Sequence, residues 1–463
     1  MKGLLISGTA SGVGKTTVAL AIMAGMRRRG LAVQPFKCGP DFLDTGYHTR
    51  IAGRTARNLD TWMLSAEANR GVLRNAARDA DFLVAEGMMG LFDGKGGDTD
   101  EGSSAEMAKV LQLPVVLVMD AATSARSVAA VVLGFESFDP ELPLAGLVLN
   151  RVAGERHYAM LRDAISLSCK TKILGWLPHE PSIAIPERHL GLQSAFERNK
   201  TEQEAAIDKL AALAEEHLNL DALLELQCGI EFEEDFPKKS SSPLAQDAVR
   251  IGVAWDEAFS FYYEDNLSLL QEQGAEIVRF SPIHDASLPF NLDAIYLGGG
   301  YPELHAARLS ENCEMLREIR AFAVSGRPVY AECGGMMYLA QTLSMVDGTS
   351  FPMVGVLPIS IQMTEKLVQF GYVTVTFVED CLLGPKGTTV RGHSFHYSRM
   401  VAQPQLHKVY RAAYSLSGSE EAEGFSQDKV LASYIHLHFR ANPLLANYFV
   451  SATRNMRAAV VPA

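Results

Sequence analysis

The residues best suited to chemistry begin at Gly8, where an apolar run ends and a glycine-rich turn opens a helix. The turn reads GTASGVGKTT from Gly8 to Thr17. In such turns the backbone N–H groups face phosphates, the lysine reaches the outer phosphates, and the next hydroxyl lies on Mg²⁺. The N-terminus of the following helix adds its positive end to the same anion site. The pattern therefore predicts a site for a nucleoside triphosphate and Mg²⁺ built from Gly12, Gly14, Lys15, Thr16 and Thr17.

The spacing of this turn is unusual. Five residues separate Gly8 from Gly14, whereas the usual phosphate loop has four. The extra residue and the segment that ends at Gly12 resemble the dethiobiotin-synthetase-like branch of these nucleotide-binding proteins. Partition-type ATPases carry a signature lysine at the position of Ala10, and this chain does not. The spacing thus favours a synthetase over a nucleotide-driven switch that sorts partners.

Charged side chains follow two neighbouring apolar runs. Glu86 ends the run 82–86 and suits Mg²⁺ or its bound water, although an acid at a sheet edge often only solvates a loop. Lys37 ends the run before it, where a cation can stabilise a phosphoryl group in transfer. Asp41 and Asp44 can bind metal or substrate, or they can cap the turn in which they lie. These residues predict a charged site beside the phosphate loop.

Further polar residues of the first half allow more than one functional interpretation. Asp60 is another candidate metal ligand, and Asn150 ends a strand where its amide can read the edge of a base. Arg50, Arg54 and Arg57 recur at helical spacing. They can face carboxylates together or form a solvated basic helix face.

The second reactive residue is Cys333, which stands between an apolar strand and two glycines that open a helix. A sharp strand-to-helix turn exposes a side chain at a sheet edge, and a helix N-terminus favours the thiolate. Gly299 and Gly300 follow another strand. Their N–H groups, with that of Gly334, form a candidate oxyanion hole.

Two histidines complete this second set. His436 and His438 alternate in one apolar strand, so that strand geometry places them on one face. Either can serve as the base for Cys333 while the other orients it. Cysteine, glycines and histidines together predict a cysteine–histidine hydrolase.

Length and composition limit the domain organisation, binding partners and cellular location of the protein. A chain of 463 residues exceeds one ordinary core, so two or three domains are expected. A net charge of −12 argues against a general binder of nucleic acid or anionic membrane. Six cysteines without C-x-x-C spacing argue against a disulfide framework or zinc site. The first strand begins directly after the start, and no apolar run reaches membrane length, so we expect a cytoplasmic protein.

Alternating strand and helix patterns predict an α/β fold with a parallel sheet in the first half. The predicted strands there are 3–7, 32–37, 82–86, 115–120, 144–150 and 172–177. Residues 202–226 predict one amphipathic helix, and charge, serine and proline then indicate a linker over 231–248. We therefore predict two domains, 1–230 and 249–463.

The motifs together resemble the cobyrinic acid a,c-diamide synthases of cobalamin biosynthesis over essentially the full length. The motifs that carry the resemblance are GTASGVGKTT, KCGPDFLDTGYH, RNLDTWM, EGMMGLFDG, LGGGYPE, AECGGMMYL and SYIHLHF. The string KCGPDFLD separates these enzymes from the related cobyric acid synthases. The resemblance implies that domain 1–230 is a P-loop domain binding ATP and corrinoid. It also implies that domain 249–463 is a class I glutamine amidotransferase.

The resemblance also implies roles for individual residues. The residues of the phosphate loop would bind ATP, and Asn150 would bind its adenine. Cys333 would attack the amide of glutamine and His436 would activate it, with Lys37 as the catalytic cation of the first domain. His438 stands where many triad amidotransferases have Glu, which leaves its orienting role open. The residues expected around the reacting carboxylate are Asp41, Leu43, Asp44 and Asp93, and those expected near Mg²⁺ are Thr16, Glu86, Asp41 and Asp60.

The expected reaction is ATP- and glutamine-dependent amidation of the a and c acetate groups of cobyrinic acid through an acyl phosphate. Nickel-sirohydrochlorin or hydrogenobyrinic acid as substrate would leave the same motifs. A switch ATPase and a glutamine-binding regulatory module are the rivals from other classes. The expected partners are ATP, glutamine, a corrinoid and a second copy of the chain in a homodimer, without nucleic acid or membrane.

Overall fold

The computed structural model describes residues 1–142, 144–183, 187–188, 191–192, 200–229, 248–402 and 406–460. The chain divides into two compact units, Met1–Phe236 and Pro237–Ala463. The linker predicted over 231–248 lies outside the described residues except for its last residue. No helix within the described ranges is both long and apolar enough to cross a membrane.

A parallel sheet forms the centre of the first unit. Its strands are β1 (Lys2–Gly8), β2 (Val33–Cys38), β3 (Arg57–Leu59), β4 (Phe82–Glu86), β5 (Val115–Asp120), β6 (Leu144–Val152) and β7 (Ile173–Pro178). They lie in the order β3-β2-β4-β1-β5-β6-β7, and every neighbouring pair is parallel. Strands β2–β4 lie on one side of β1 and strands β5–β7 lie on the other, so the direction in which successive strands are added reverses at β1. Such a reversal opens a crevice at the carboxyl end of β1, where the glycine-rich turn lies.

Helices cover this sheet. They are α1 (Lys15–Arg28), α2 (Leu43–Ala52), α3 (Ala66–Ala77), α4 (Ser104–Leu111), α5 (Val128–Phe138), α6 (Glu155–Ser168), α7 (Lys200–His217) and α8 (Leu220–Leu224), with a separate antiparallel pair β8 (Glu187–Arg188) and β9 (Gly191–Leu192). In α1 the residues Val18, Ile22 and Met26 are buried at four-residue spacing, which is the pattern of a helix packed on a core. The predicted α/β fold is confirmed.

Two predictions about this unit are wrong in detail. Arg50, Arg54 and Arg57 do not share a helix, because Gly53 takes a left-handed conformation that ends α2, and Arg57 lies in β3. The single helix predicted over 202–226 is two helices. Asn219 separates them, since its side chain caps α8 while its N–H donates to Leu174 O.

The second unit holds a larger mixed sheet and a small one. Its strands are β10 (Val249–Ala254), β11 (Ala275–Phe280), β12 (Ala294–Leu297), β13 (Val329–Glu332), β14 (Thr342–Ser344), β15 (Ser350–Pro352), β16 (Ser360–Met363), β17 (Gln369–Phe377), β18 (Thr389–His396), β19 (Ser398–Ala402), β20 (His407–Tyr414), β21 (Glu420–Gln427), β22 (Val430–Ser433) and β23 (His436–Leu437). The larger sheet has the order β11-β10-β12-β13-β22-β21-β20-β17-β18-β23, and β15-β14-β16-β19 form the smaller one. The helices are α9 (Glu264–Glu272), α10 (Ala306–Glu311), α11 (Cys313–Val324), α12 (Gly334–Leu339) and α13 (Leu444–Val460).

The larger sheet is parallel from β11 to β22 and antiparallel beyond it. Because β12, β13 and β22 run in the same direction, the loops after them meet at one edge. Those loops carry the glycines, Cys333 and the approach to the histidines.

The strand predicted to carry both histidines is broken. β22 ends at Ser433, and His436 begins β23, which pairs with β18 rather than continuing along β13. His438 follows β23 and caps a 3₁₀ turn, Phe439–Ala441. The period-two argument for one shared face therefore does not apply to this pair.

Candidate active sites

The phosphate loop depends on two left-handed glycines. Gly12 and Gly14 have φ values of +76° and +92°, a region that glycine enters without steric cost. A side chain at Gly14 would overlap the amide nitrogen of Asn150. That buried amide donates to Val13 O at 2.9 Å and so fastens the loop from beneath. The adenine-reading role of Asn150 stays a prediction, since the structure shows this amide engaged with the loop.

Lys15 and Thr16 extend from the start of α1 toward the same crevice. Lys15 Nζ donates to Ala10 O at 3.0 Å, where it closes the loop on itself. Burial and the nearby Lys37 charge lower the pKa of Lys15. Thr16 Oγ1 donates to Glu86 Oε1 at 2.6 Å. The loop thus places a hydroxyl and a carboxylate side by side.

A buried charge cluster lies directly behind the loop. Lys37 Nζ contacts Asp44 Oδ2 at 2.5 Å and Glu86 Oε1 at 2.9 Å. His48 Nε2 lies 2.7 Å from the other Glu86 oxygen. These four residues are 5% exposed or less. Because β2 and β4 are parallel neighbours with Lys37 opposite Glu86, the sheet register brings the two charges together.

Mutual attraction decides the protonation of this cluster. Burial alone would raise the pKa of Glu86 and lower that of Lys37. The Lys37 ammonium and the bonds from His48 and Thr16 nevertheless hold the pKa of Glu86 well below its ordinary value, and the carboxylates hold the pKa of Lys37 well above. Burial, then the Asp41 charge, raise the pKa of Asp44 to about 7. Near neutral pH Lys37 is therefore a lasting cation, Glu86 a lasting anion, and Asp44 a carboxyl that exchanges its proton.

Two other predicted acids, Asp41 and Asp60, accept hydrogen bonds from backbone N–H groups. Asp41 Oδ1 accepts from the N–H groups of Leu43 and Asp44 at 2.8 and 2.9 Å. Asp60 Oδ1 accepts from two N–H groups in the turn that follows it. The capping alternative therefore holds for the Asp41 side chain, and Asp60 caps a buried turn. Their metal roles stay predictions.

Asp93 lies near the phosphate loop. Its Oδ2 accepts from Gly90 N at 2.8 Å, and a side chain on Gly90 would approach Ala10 of the loop. Its charge also acts on Lys15. Cys38 in β2 is not reactive, since burial raises the pKa of its thiol to about 12.

The donor set beside the loop fits Mg²⁺ that is bound together with phosphates. Within the described ranges, no group of three or more His, Cys, Asp or Glu could hold a metal ion by itself. Mg²⁺ characteristically takes one or two carboxylates and completes its shell with phosphate oxygens and water. Thr16 and Glu86 supply the hard oxygens, and Asp44 Oδ1 is buried without a hydrogen-bond partner among the described residues.

The second unit presents Cys333 in a strained turn. β13 ends at Glu332, α12 begins at Gly334, and Cys333 between them has φ +47° and ψ −105°. Its N–H donates to Ser433 O at 2.7 Å, and its C=O accepts from Met337 N. A non-glycine residue here costs on the order of 1–3 kcal/mol and is typical of a displayed nucleophile.

His436 lies within reach of the thiol. Burial alone would lower the pKa of His436, but the Cys333 thiol and the Glu332 carboxylate raise it to about 9. Glu332 Oε2 lies 3.6 Å from His436 Nδ1. The raised pKa keeps the His436 imidazole protonated near neutral pH, and a cysteine beside an imidazolium is a typical arrangement for a nucleophile.

His438 occupies a different environment. Its Nδ1 accepts from Arg440 N at 3.3 Å, and its ring packs on Tyr263 with a centroid distance of 4.4 Å. His436 instead stacks on His393 at 4.9 Å. Direct orientation of His436 by His438 stays a prediction, whereas Glu332 stands next to His436 in the structure.

The predicted oxyanion glycines divide into two groups. Gly299 N donates to Phe261 O at 3.2 Å, so that this N–H is already used, and the expectation is corrected for Gly299. A side chain at Gly299 would overlap the His436 ring, which explains the glycine differently. A side chain at Gly334 would lie 3.1 Å from Gly300 N, so the two turns meet closely. The oxyanion roles of Gly300 and Gly334 stay predictions.

Sequence reasoning missed His48 and Glu332. Both residues lie in motifs described above, and each has a sequence feature that could have indicated its role. His48 follows Asp44 by one helical turn and therefore shares its face of α2. Glu332 precedes the nucleophile, and a carboxylate that ends an apolar strand is the signal that identified Glu86.

Comparison with known proteins identifies the family of each unit. A CobQ/CobB/MinD/ParA nucleotide binding domain matches residues 4–192, and a CobB/CobQ-like glutamine amidotransferase domain matches residues 250–444. The chain is 41% identical to the cobyrinate a,c-diamide synthase of Syntrophotalea carbinolica, over 97% of this chain and 98% of that protein. Relatives with the same name from Salmonella typhimurium and Listeria monocytogenes are also 41% identical, over 98% of this chain and 98% and 99% of theirs.

Proposed function

Because the chain belongs to the cobyrinate a,c-diamide synthase family, we propose that it amidates the a and c acetate groups of cobyrinic acid. Glutamine is the nitrogen donor and ATP activates each carboxylate. The observation that carries the proposal is the presence of two unlike sites in one chain. One presents a strained Cys333 with His436, and the other joins a phosphate loop to buried Lys37.

ATP is needed because a carboxylate resists attack by ammonia until one oxygen becomes a good leaving group. The substrate carboxylate oxygen attacks the γ-phosphorus, the bond to the β-phosphate oxygen breaks, and ADP leaves. Lys37 and Lys15 stabilise the charge that develops on the transferring group. Thr16 and Glu86 would hold Mg²⁺, which would neutralise charge on the outer phosphates.

Asp44 is suited to a substrate carboxylate. With a pKa of about 7 it carries a proton part of the time, and a protonated carboxyl can donate to a carboxylate oxygen. Its buried, unpartnered Oδ1 supports a ligand on that side. Asp41, Leu43 and Asp93 are proposed to surround the same carboxylate.

Cys333 releases the ammonia. The thiolate attacks the amide carbon of glutamine, and the tetrahedral intermediate breaks its C–N bond as His436 protonates the leaving nitrogen. Water activated by the now neutral His436 hydrolyses the thioester to glutamate. Ammonia then attacks the acyl phosphate, and inorganic phosphate leaves to give the amide. Two such rounds convert two carboxylates.

The test uses the purified chain with Mg-ATP, glutamine and each candidate macrocycle: cobyrinic acid, hydrogenobyrinic acid and nickel-sirohydrochlorin. Product mass should change on cobyrinic acid in two steps of one amide. Cys333→Ala should lose the glutamine-dependent reaction and keep the ammonium-dependent one, while Cys313→Ala, at an exposed cysteine, should keep both. ATP turnover without amidation of any macrocycle would favour a nucleotide switch and contradict the proposal.

Cytoplasmic location, a homodimer and the absence of nucleic-acid and membrane partners also stay predictions. The negative net charge of −12 supports the last two.

A further inference from the structure

Glu332 is an unusual residue to find beside a nucleophile. It is 1% exposed at the end of β13. Tyr330 OH and Leu437 N donate to its Oε1 at 2.6 and 3.1 Å, and Tyr296 OH donates to its Oε2 at 3.0 Å. In the described part of the chain, His436 is the one cationic group within ion-pair distance of this carboxylate. A buried charge is retained at low cost only when it is hydrogen-bonded and paired.

These bonds fix where the carboxylate points. Two tyrosine hydroxyls and one backbone amide hold both of its oxygens, and the donor Leu437 is the residue directly after His436. The carboxylate therefore holds the backbone of β23 as well as facing the imidazole that β23 carries. With Nδ1 toward Glu332, the ring has its other nitrogen available for the thiol.

His438 is the rival for this role. Its Nδ1 accepts from Arg440 N, and its ring packs against Tyr263. An imidazole also carries no negative charge with which to stabilise an imidazolium. Glu332 has the charge, the burial and the position.

We propose that Glu332 is the positioning residue that orients His436 and stabilises its imidazolium, so that the Cys333 site is completed by its own sequence neighbour. The inference rests on the proposed glutamine-dependent function. Because Glu332 ends β13 and Cys333 forms the strained turn that follows it, the strand end supplies the carboxylate and the turn supplies the thiol.

The test is Glu332→Gln in the full chain, which keeps the shape of the side chain and removes its charge. Release of ammonia from glutamine should fall on the order of 10²–10⁴-fold in kcat, as when the orienting carboxylate of a catalytic triad is made an amide. Ammonium-dependent amidation should stay within about twofold, because the first unit is unchanged. Glu332→Asp should recover part of the lost rate.

A second readout separates orientation from mere structural support. The pH profile of Cys333 alkylation by iodoacetamide, followed on its peptide by mass spectrometry, reports the thiolate. In Glu332→Gln its midpoint should rise by about one pH unit or more, because the imidazolium that stabilises the thiolate has lost its anion. The matched control is Glu423→Gln, at another buried carboxylate that accepts from Ser433 Oγ, and its midpoint should not move.

Three outcomes overturn the inference. One is a Glu332→Gln protein with wild-type glutamine turnover, and another is an unchanged alkylation midpoint in that variant. The third is a His438→Asn protein, with its cap acceptor preserved, that loses as much activity as Glu332→Gln. A wild-type chain that releases no ammonia from glutamine would instead overturn the proposed function itself.

Discussion

The phosphate loop and the Cys333 turn occupy equivalent places, each between a parallel strand and the helix that follows it, but they use the turn differently. In the loop, the left-handed positions are Gly12 and Gly14. In the Cys333 turn, the position with positive φ is held by the nucleophile itself. In the proposed function, the first turn offers its backbone N–H groups to phosphate, and the second offers a side chain to an amide carbon.

The surrounding charges differ in the same way. Behind the loop, Lys37 lies between the carboxylates of Asp44 and Glu86, which are proposed to exchange partners with substrate charges. Beside Cys333, one carboxylate and one imidazole are matched to one thiol. A site that binds polyanions needs several charged side chains that can exchange one ionic partner for another. A nucleophile instead needs one base and one orienting carboxylate in a fixed geometry. Four predictions test this contrast, beginning with the largest expected effect.

Lys37→Met should be the most damaging change. It leaves Glu86 and Asp44 buried without their cation, and breaking such a pair costs about 3–5 kcal/mol. Urea unfolding of the first unit should shift accordingly, and amidation should be lost with glutamine and with ammonium alike. Lys109→Met is the matched control, because Lys109 also pairs with two carboxylates but is 31% exposed, and about 1 kcal/mol or less is expected. Equal unfolding midpoints for the two variants would refute a special role for the buried cluster.

Gly14→Ala should weaken ATP binding roughly 30- to 700-fold. The added methyl group meets Asn150, whose bond to Val13 must break at a cost of about 1–3 kcal/mol, and left-handed strain adds about 1 kcal/mol. Titration with a fluorescent ATP analogue measures the change. Gly30→Ala, with φ +82° and open space around it, should bind ATP as the wild type does. Similar losses in both variants would mean that backbone strain alone is responsible.

Glutamine turnover should decline above about pH 9. The pKa of His436 is raised to about 9, so the imidazolium that protonates the leaving ammonia persists up to that pH and is lost above it. The rate should then approach a tenfold fall per pH unit. A series of kcat values from pH 7 to 10.5 locates the decline. A decline centred near 6.5, the ordinary value for histidine, would contradict the stabilised imidazolium.

Cys333→Gly should be about 1 kcal/mol more stable than Cys333→Ala. Relief of left-handed strain is worth about 1–2 kcal/mol, and the extra chain entropy of glycine offsets part of it. At Cys38, within the regular strand β2, the same pair of substitutions should show the opposite order. Urea unfolding of the four proteins gives both differences. If the order is the same at both positions, the turn at Cys333 is not strained.

Local features could be predicted from the sequence where their physical cause lies within the same short segment of chain. β4 and β5 match their predicted ranges, 82–86 and 115–120, because continuous apolar runs identify strands buried on both faces. The short strand β3 was missed because three residues carry too little pattern. The break between β22 and β23 was missed because it depends on pairing with β18, which periodicity does not reveal.

The sequence by itself determined the chemical groups: a phosphate loop, a cysteine at a strand-to-helix turn, and the acids and histidines near them. Those features are local, since glycine conformations, apolar runs and helix starts act within a few residues. Only the tertiary structure decided which charges meet. Lys37 and His48 reach Glu86 across 49 and 38 residues of chain, and Glu332 reaches His436 from another strand. Strand order and register determine these side-chain contacts, because they decide which strand ends become neighbours.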